Sequence, residues 1–119
     1  MSNIHALNIL PSQEVIDSIA NYHAEFDDIS FDYTQLLIKL KNEIYKLNFM
    51  VKHDNADWMQ RRGSDYLTNP KLFAHAPLTY ICAFIGELFK KYSLEELLEK
   101  LTPQILKSVL ARLNDFKLH

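Results

Sequence analysis

The sequence predicts an all-α fold: an irregular bundle of about six or seven helices packed around a central helix at 77–92. Three observations lead there. The stretch PLTYICAFIGELFKKY places Leu78, Ile81, Cys82, Ile85, Leu88, Phe89 and Tyr92 at steps of three and four, the spacing of one helical face. Tyr80, Ala83, Phe84 and Gly86 make most of the flanking surface apolar too, and the charges Glu87, Lys90 and Lys91 gather in the last turns. A helix that is apolar nearly all round needs neighbours on several sides. Second, the chain has only two glycines, Gly63 and Gly86, whereas hairpin turns lean on glycine. Third, helix caps recur along the chain in place of alternating strand patterns.

The elements follow in order. Ser12, after Pro11, caps a first helix to about Glu25, with Val15, Ile16, Ile19, Tyr22 and Phe26 as its apolar face. DDISFD reads as a loop. Asp32 with Gln35 is a capping-box variant that opens a second helix through about Asn48, with Leu36, Leu37, Leu40, Ile44 and Leu47 inward. NFMVKHDN breaks the pattern and reads as a loop or a short extended piece. Asn55 or Asp57 starts a third helix, DWMQRRGSDYL, in which Gly63 marks close packing, since glycine costs about 1 kcal/mol against alanine in a helix. Asn69-Pro70 is a cap followed by proline at the first helical position, opening the short helix KLFAHA. Ser93-x-x-Glu96 is a capping box that ends the central helix and begins the next. Thr102-Pro103 opens the last helix, with Ile105, Leu106, Val109, Leu110, Leu113 and Phe116 on one side.

A chain of 119 residues, 48% hydrophobic and 24% charged, suits one domain spanning 1–119 with one core, and argues against disorder. No apolar run is long enough to span a bilayer. MSNIHALNIL has no basic flank before its short apolar run, so no secretory signal is expected and a cytoplasmic protein is the default. The single cysteine, Cys82, lies on the central stripe and reads as a small buried hydrophobe.

The net charge of −2 hides an asymmetry. Residues 1–35 hold Glu14, Asp17, Glu25, Asp27, Asp28 and Asp32 with no Lys or Arg, a net −6, while the remainder holds all 13 basic residues and nets +4. Such a polarised chain can steer a charged partner or pair its own two halves, or the acidic end is simply a solvated face; the aromatics among the acids would anchor a basic partner once steered.

Few residues point to catalysis. There is no Gly-rich phosphate loop, no nucleophile elbow and no paired-carboxylate signature, so an enzyme is not the reading adopted. No cofactor is implied. His23 with Asp27 and His53 with Asp57 are pairs one turn apart, and His75 stands alone; without His-x-x-x-His or Cys-x-x-Cys no metal site is expected. Arg61 and Arg62 beside Trp58 and Tyr66 form an alternative nucleic-acid-binding cluster, because arginine forks hold phosphates and aromatics stack on bases. Arg112, six residues and then His119 resemble the Arg…His motif of helical ribonucleases of the HEPN superfamily. That resemblance implies an Arg and a His acting on an RNA backbone at a dimer interface.

From about Phe31 to Leu113 the chain also resembles a bacterial family of small helical proteins designated only as a domain of unknown function. The words that carry this are Phe31-Asp32-Tyr33-Thr34, Asp57-Trp58-Met59, Tyr66-Leu67-Thr68-Asn69-Pro70, the run Leu72…Ala76…Leu78, and Ile105…Leu110-Ala111-Arg112-Leu113. Lys91-Tyr92 stands where that family has a basic-aromatic motif followed by glycine; the glycine is missing here. The resemblance implies a helical fold and a bacterial or mobile-element origin, and no activity.

The function expected from the sequence is therefore a small protein-binding module, such as an inhibitor or immunity protein. Its contact residues would be Glu25, Phe26, Asp27, Asp28, Phe31 and Asp32, and its partner a protein with a basic surface. A homodimer is a further expectation, through an apolar patch that a two-fold axis would cover.

Overall fold

A computed structural model of the chain describes residues 10–27 and 32–117. Ser12 is extended, and its hydroxyl accepts the Val15 N–H at 3.3 Å. That satisfies one of the donors a helix start leaves open, and α1 runs Gln13–Ala20. The chain then tightens into a 3-10 turn, Asn21–Asp27, so the expected single helix to Glu25 is two pieces. Asp32 accepts the Gln35 N–H at 3.2 Å and opens α2, Tyr33–Lys46. Leu36, Leu37, Leu40 and Ile44 of α2 are buried, as its pattern requires.

The expected third helix is broken into parts. Asn55, one of the two expected starts, is its N-cap residue, but the side-chain bond comes from Asp54, whose carboxylate accepts the Ala56 N–H at 3.0 Å. A first turn, α3 (Ala56–Trp58), passes into a π turn, Met59–Gly63, and then into α4, Asp65–Thr68. The Ser64 N–H reaches back five residues to the Met59 carbonyl at 2.9 Å. Gly63 lies under two side chains: a Cβ there would stand 2.5 Å from Met59 Sδ and 2.9 Å from Trp58 Cζ3. The widened turn and the missing side chain together let the Trp58 ring fold against its own helix. A 3-10 turn, Pro70–His75, follows Asn69.

The central helix, α5, runs Leu78–Lys91, and every residue from 81 to 89 is buried. The capping box of Ser93 and Glu96 forms both of its bonds, at 3.3 and 3.1 Å, and starts α6, Leu94–Lys100. The Thr102 hydroxyl accepts the Ile105 N–H at 3.2 Å and starts α7, Pro103–Asn114. The seven α-helices make the fold all-α, and no strand occurs among the described residues.

Packing follows from these faces. α7 lies against the Pro70–His75 turn, α1, the Asn21–Asp27 turn and α5. α2 lies against α1, α5 and α6. The buried apolar side chains form one cluster, with α5 sheathed as its sequence demands. Two long-range bonds tie the ends together: Gln13 Nε2 donates to the Phe116 carbonyl at 3.0 Å, and the Tyr33 hydroxyl donates to the Leu101 carbonyl.

The stretch after α2 is a buried strap on α5, not an extended piece. Asn48 (φ 54°) and Met50 (φ 61°) are both left-handed, which turns the chain back onto α5. Phe49 and Met50 are buried there. Gly86 makes the approach possible, because a Cβ at that position would stand 2.4 Å from Met50 Cβ. Gly86→Ala should therefore lower the free energy of unfolding by about 1–3 kcal/mol, as overpacking does, although alanine gains about 1 kcal/mol in helix propensity. Urea denaturation checks it; a variant at least as stable as the wild type would mean that Met50 does not rest on Gly86.

Candidate functional site

The acidic face expected from the sequence is described only in part. Asp28 and Phe31 lie outside the described residues, as do the side chains of Phe26 and Asp27. Asp32 is exposed, and its carboxylate also serves as the cap of α2. Glu25 is half-buried at the end of the Asn21–Asp27 turn and faces Lys39 of α2, Nζ to Oε1 3.6 Å.

Around Glu25 the structure assembles a patch that the sequence does not reveal. Tyr22 is half-buried, and its hydroxyl pKa is raised, first by burial, then by Glu43, then by Glu25. Glu43 belongs to α2, one turn beyond Lys39, and so joins the acidic side of the molecule from outside the acidic third. Two carboxylates thus act on one tyrosine hydroxyl, and Lys39 pairs with one of them, Glu25. The missing signal was tertiary: α1 packs on α2, and the Glu25–Lys39 pair ties the following turn to the same helix.

The alternative cluster separates on folding. Trp58 and Tyr66 are core residues, 5% and 9% exposed, so their faces are spent on other rings. Trp58 packs on Tyr80, with centroids 5.2 Å apart, and Tyr66 packs on Phe73 at 4.6 Å. Arg61 and Arg62 are exposed, and Arg61 pairs with Asp57 at 3.2 Å. The arginines and the aromatics therefore do not share one accessible surface. Arg112, of the ribonuclease-like pair, is used in the fold: its Nε–H donates to the Ala76 carbonyl at 2.8 Å, Nη1 pairs with Asp115 at 3.3 Å, and the guanidinium lies 4.6 Å from the centre of the Phe116 ring. It borders a shallow groove of about 370 Å³ between the Pro70–His75 turn and α7, lined also by Lys71 and Ser108. His119 lies outside the described residues.

One charged side chain is buried although its position near the end of α5 reads as solvated. Glu87 of α5 is 3% exposed. Its Oε2 accepts the Asn55 N–H and Lys90 Nζ, both at 2.8 Å, and Lys90 Nζ donates further to the His53 carbonyl at 2.6 Å. This cluster fastens the strap to α5. The carboxamide of Asn55, fully buried, and the Trp58 Nε1–H bond to no protein group among the described residues.

Among the described residues no three His, Cys, Asp or Glu side chains converge as metal ligands. Cys82 is buried and unpaired, and burial pushes its thiol pKa up to about 12. Among the described residues no helix is long and apolar enough to cross a membrane. No family model, curated protein or solved structure matches the chain.

Proposed function

We propose that the chain is a protein-binding module that meets a basic partner surface through the face carrying Tyr22, Glu25, Glu43 and Asp32. An inhibitor or immunity protein is the subtype this suits. What supports the reading is the setting of Tyr22: half-buried, with Glu43 and Glu25 both raising the pKa of its hydroxyl after burial, and with Glu25 held to α2 by Lys39 at 3.6 Å. Carboxylates at a rim accelerate encounter with a cationic surface, and an aromatic at their centre supplies contact area on docking. Lys39 tempers the face by its pairing with Glu25.

The test is charge reversal. Glu25→Lys with Glu43→Lys should slow association with the partner about tenfold at low salt and flatten its salt dependence. Lys39→Ala should do the reverse and speed association. The experiment compares affinity capture by the wild type and the double variant, then measures association rates by surface plasmon resonance at two salt concentrations. A partner captured and bound at equal rates by both proteins would sink the acidic-face reading.

A further inference from the structure

We propose that the strap at 47–55 is a latched conformational unit, which opens from α5 as one piece while the rest of the bundle stays folded. The latch is the Glu87–Lys90 pair. Glu87 holds the backbone of Asn55, and Lys90 holds the backbone of His53. Both grips are on main-chain atoms, so releasing them leaves the helical bonds of α5 intact. Each is a charge-assisted hydrogen bond, and two such bonds at one end of the strap act together.

The closed strap carries opposing terms as well. Asn48 and Met50 occupy the left-handed region with a side chain present, at φ 54° and 61°. Asn55 buries both polar atoms of its carboxamide without a protein partner among the described residues. Opening relaxes the two dihedrals and lets the Asn55 carboxamide meet solvent. It removes Phe49 and Met50 from α5 and uncovers the notch at Gly86. The unit is short, anchored at α2 on one side and α3 on the other. Leu47, Asn48 and Phe49 donate back to the Glu43, Tyr45 and Ile44 carbonyls of α2 at 2.9, 3.2 and 2.9 Å, and within the strap His53 N–H donates to the Met50 carbonyl at 3.2 Å. Few backbone bonds within the strap favour its opening as a local unit, and the burial of Phe49 and Met50 opposes it. A latch opposed by internal strain is the arrangement that two-state switching elements use.

Native-state hydrogen exchange on the full chain tests it. In the wild type the His53 and Asn55 amides should exchange together, at least about tenfold faster than amides in the middle of α5, and with a smaller denaturant dependence than theirs. Glu87→Gln removes the charge from the latch at constant size. It should speed exchange at His53 and Asn55 by about tenfold or more, the effect of weakening a hydrogen bond to a charged group, and leave mid-α5 and α7 amides unchanged. Lys90→Met should act in the same way. Lys90 is 30% exposed at its side chain, so this second variant keeps the test alive if Glu87→Gln fails to fold. Strap amides that exchange only with the α5 core would overturn the proposal. So would either variant speeding exchange evenly across the whole bundle.

Discussion

Replacing Trp58 with alanine should lower the free energy of unfolding by about 3–5 kcal/mol, the range for removing a buried aromatic. The ring is 5% exposed, lies 5.2 Å from Tyr80 and 6.4 Å from Tyr66, and closes over Gly63. The three contacts come from separate segments, so no one neighbour can collapse into the space. Trp58→Phe should behave differently. It keeps a ring in place and deletes the Nε1–H, which has no protein partner among the described residues. Leaving such a donor buried costs about 1–3 kcal/mol, and its removal offsets part of the lost volume. The expected loss for Trp58→Phe is therefore within about 1.5 kcal/mol, close to that of a volume-conserving core exchange. Arg61→Ala, on an exposed pair with Asp57, should stay within about 0.5 kcal/mol of the wild type. Urea titrations of the three variants separate the cases. A Trp58→Ala protein as stable as the wild type would return that ring to the surface and restore the stacking platform with Arg61 and Arg62.

How much of this was legible beforehand depends on the range of the interaction concerned. Caps are local, and Ser12, Asp32, Ser93 and Thr102 all accept the backbone N–H that their spacing implies. The central helix was legible because its pattern leaves no polar face. Glu87 was not, since a carboxylate in a last turn normally reads as solvated. What buries it is the strap, whose path depends on left-handed residues at Asn48 and Met50. Neither residue type announces that conformation, though asparagine is among those that tolerate it. Gly86 was the available clue: a glycine inside a helix interior marks a close approach, and the loop just after α2 is what approaches. The third helix failed as a continuous element because its geometry is set by the fit of Trp58 and Met59 around Gly63. The acidic face was legible as a charge imbalance, but its centre was not. Glu43 comes from a segment whose net charge has the opposite sign, and it acts on Tyr22 only because α2 packs on α1.

Phe84→Ala should produce a loss as large as that of Trp58→Ala, about 3–5 kcal/mol, and it tests the core independently of the strap. Phe84 is fully buried on α5. Its ring meets Phe73 edge-on, with centroids 5.0 Å apart and planes at 75°, and lies 6.1 Å from Tyr66. Phe73 and Tyr66 are themselves 4.6 Å apart. The three rings join α5, the Pro70–His75 turn and α4, so one substitution loosens three elements. Aromatic pairs of this geometry contribute about 0.5–1.5 kcal/mol beyond the area they bury. A double-mutant cycle of Phe84→Leu and Phe73→Leu should return a coupling energy in that range; a coupling near zero would show that the rings merely share a cavity. Phe84→Leu is also the control for the proposed function. It belongs to the core and none of its ring contacts reaches Tyr22, Glu25 or Glu43. At a temperature where the variant stays folded, its association rate with a basic partner should equal that of the wild type, whereas reversal of Glu25 and Glu43 slows association while leaving the core intact. If Phe84→Leu slowed association as much as the charge reversal does, binding would be following the stability of the whole bundle and not the charge of one face.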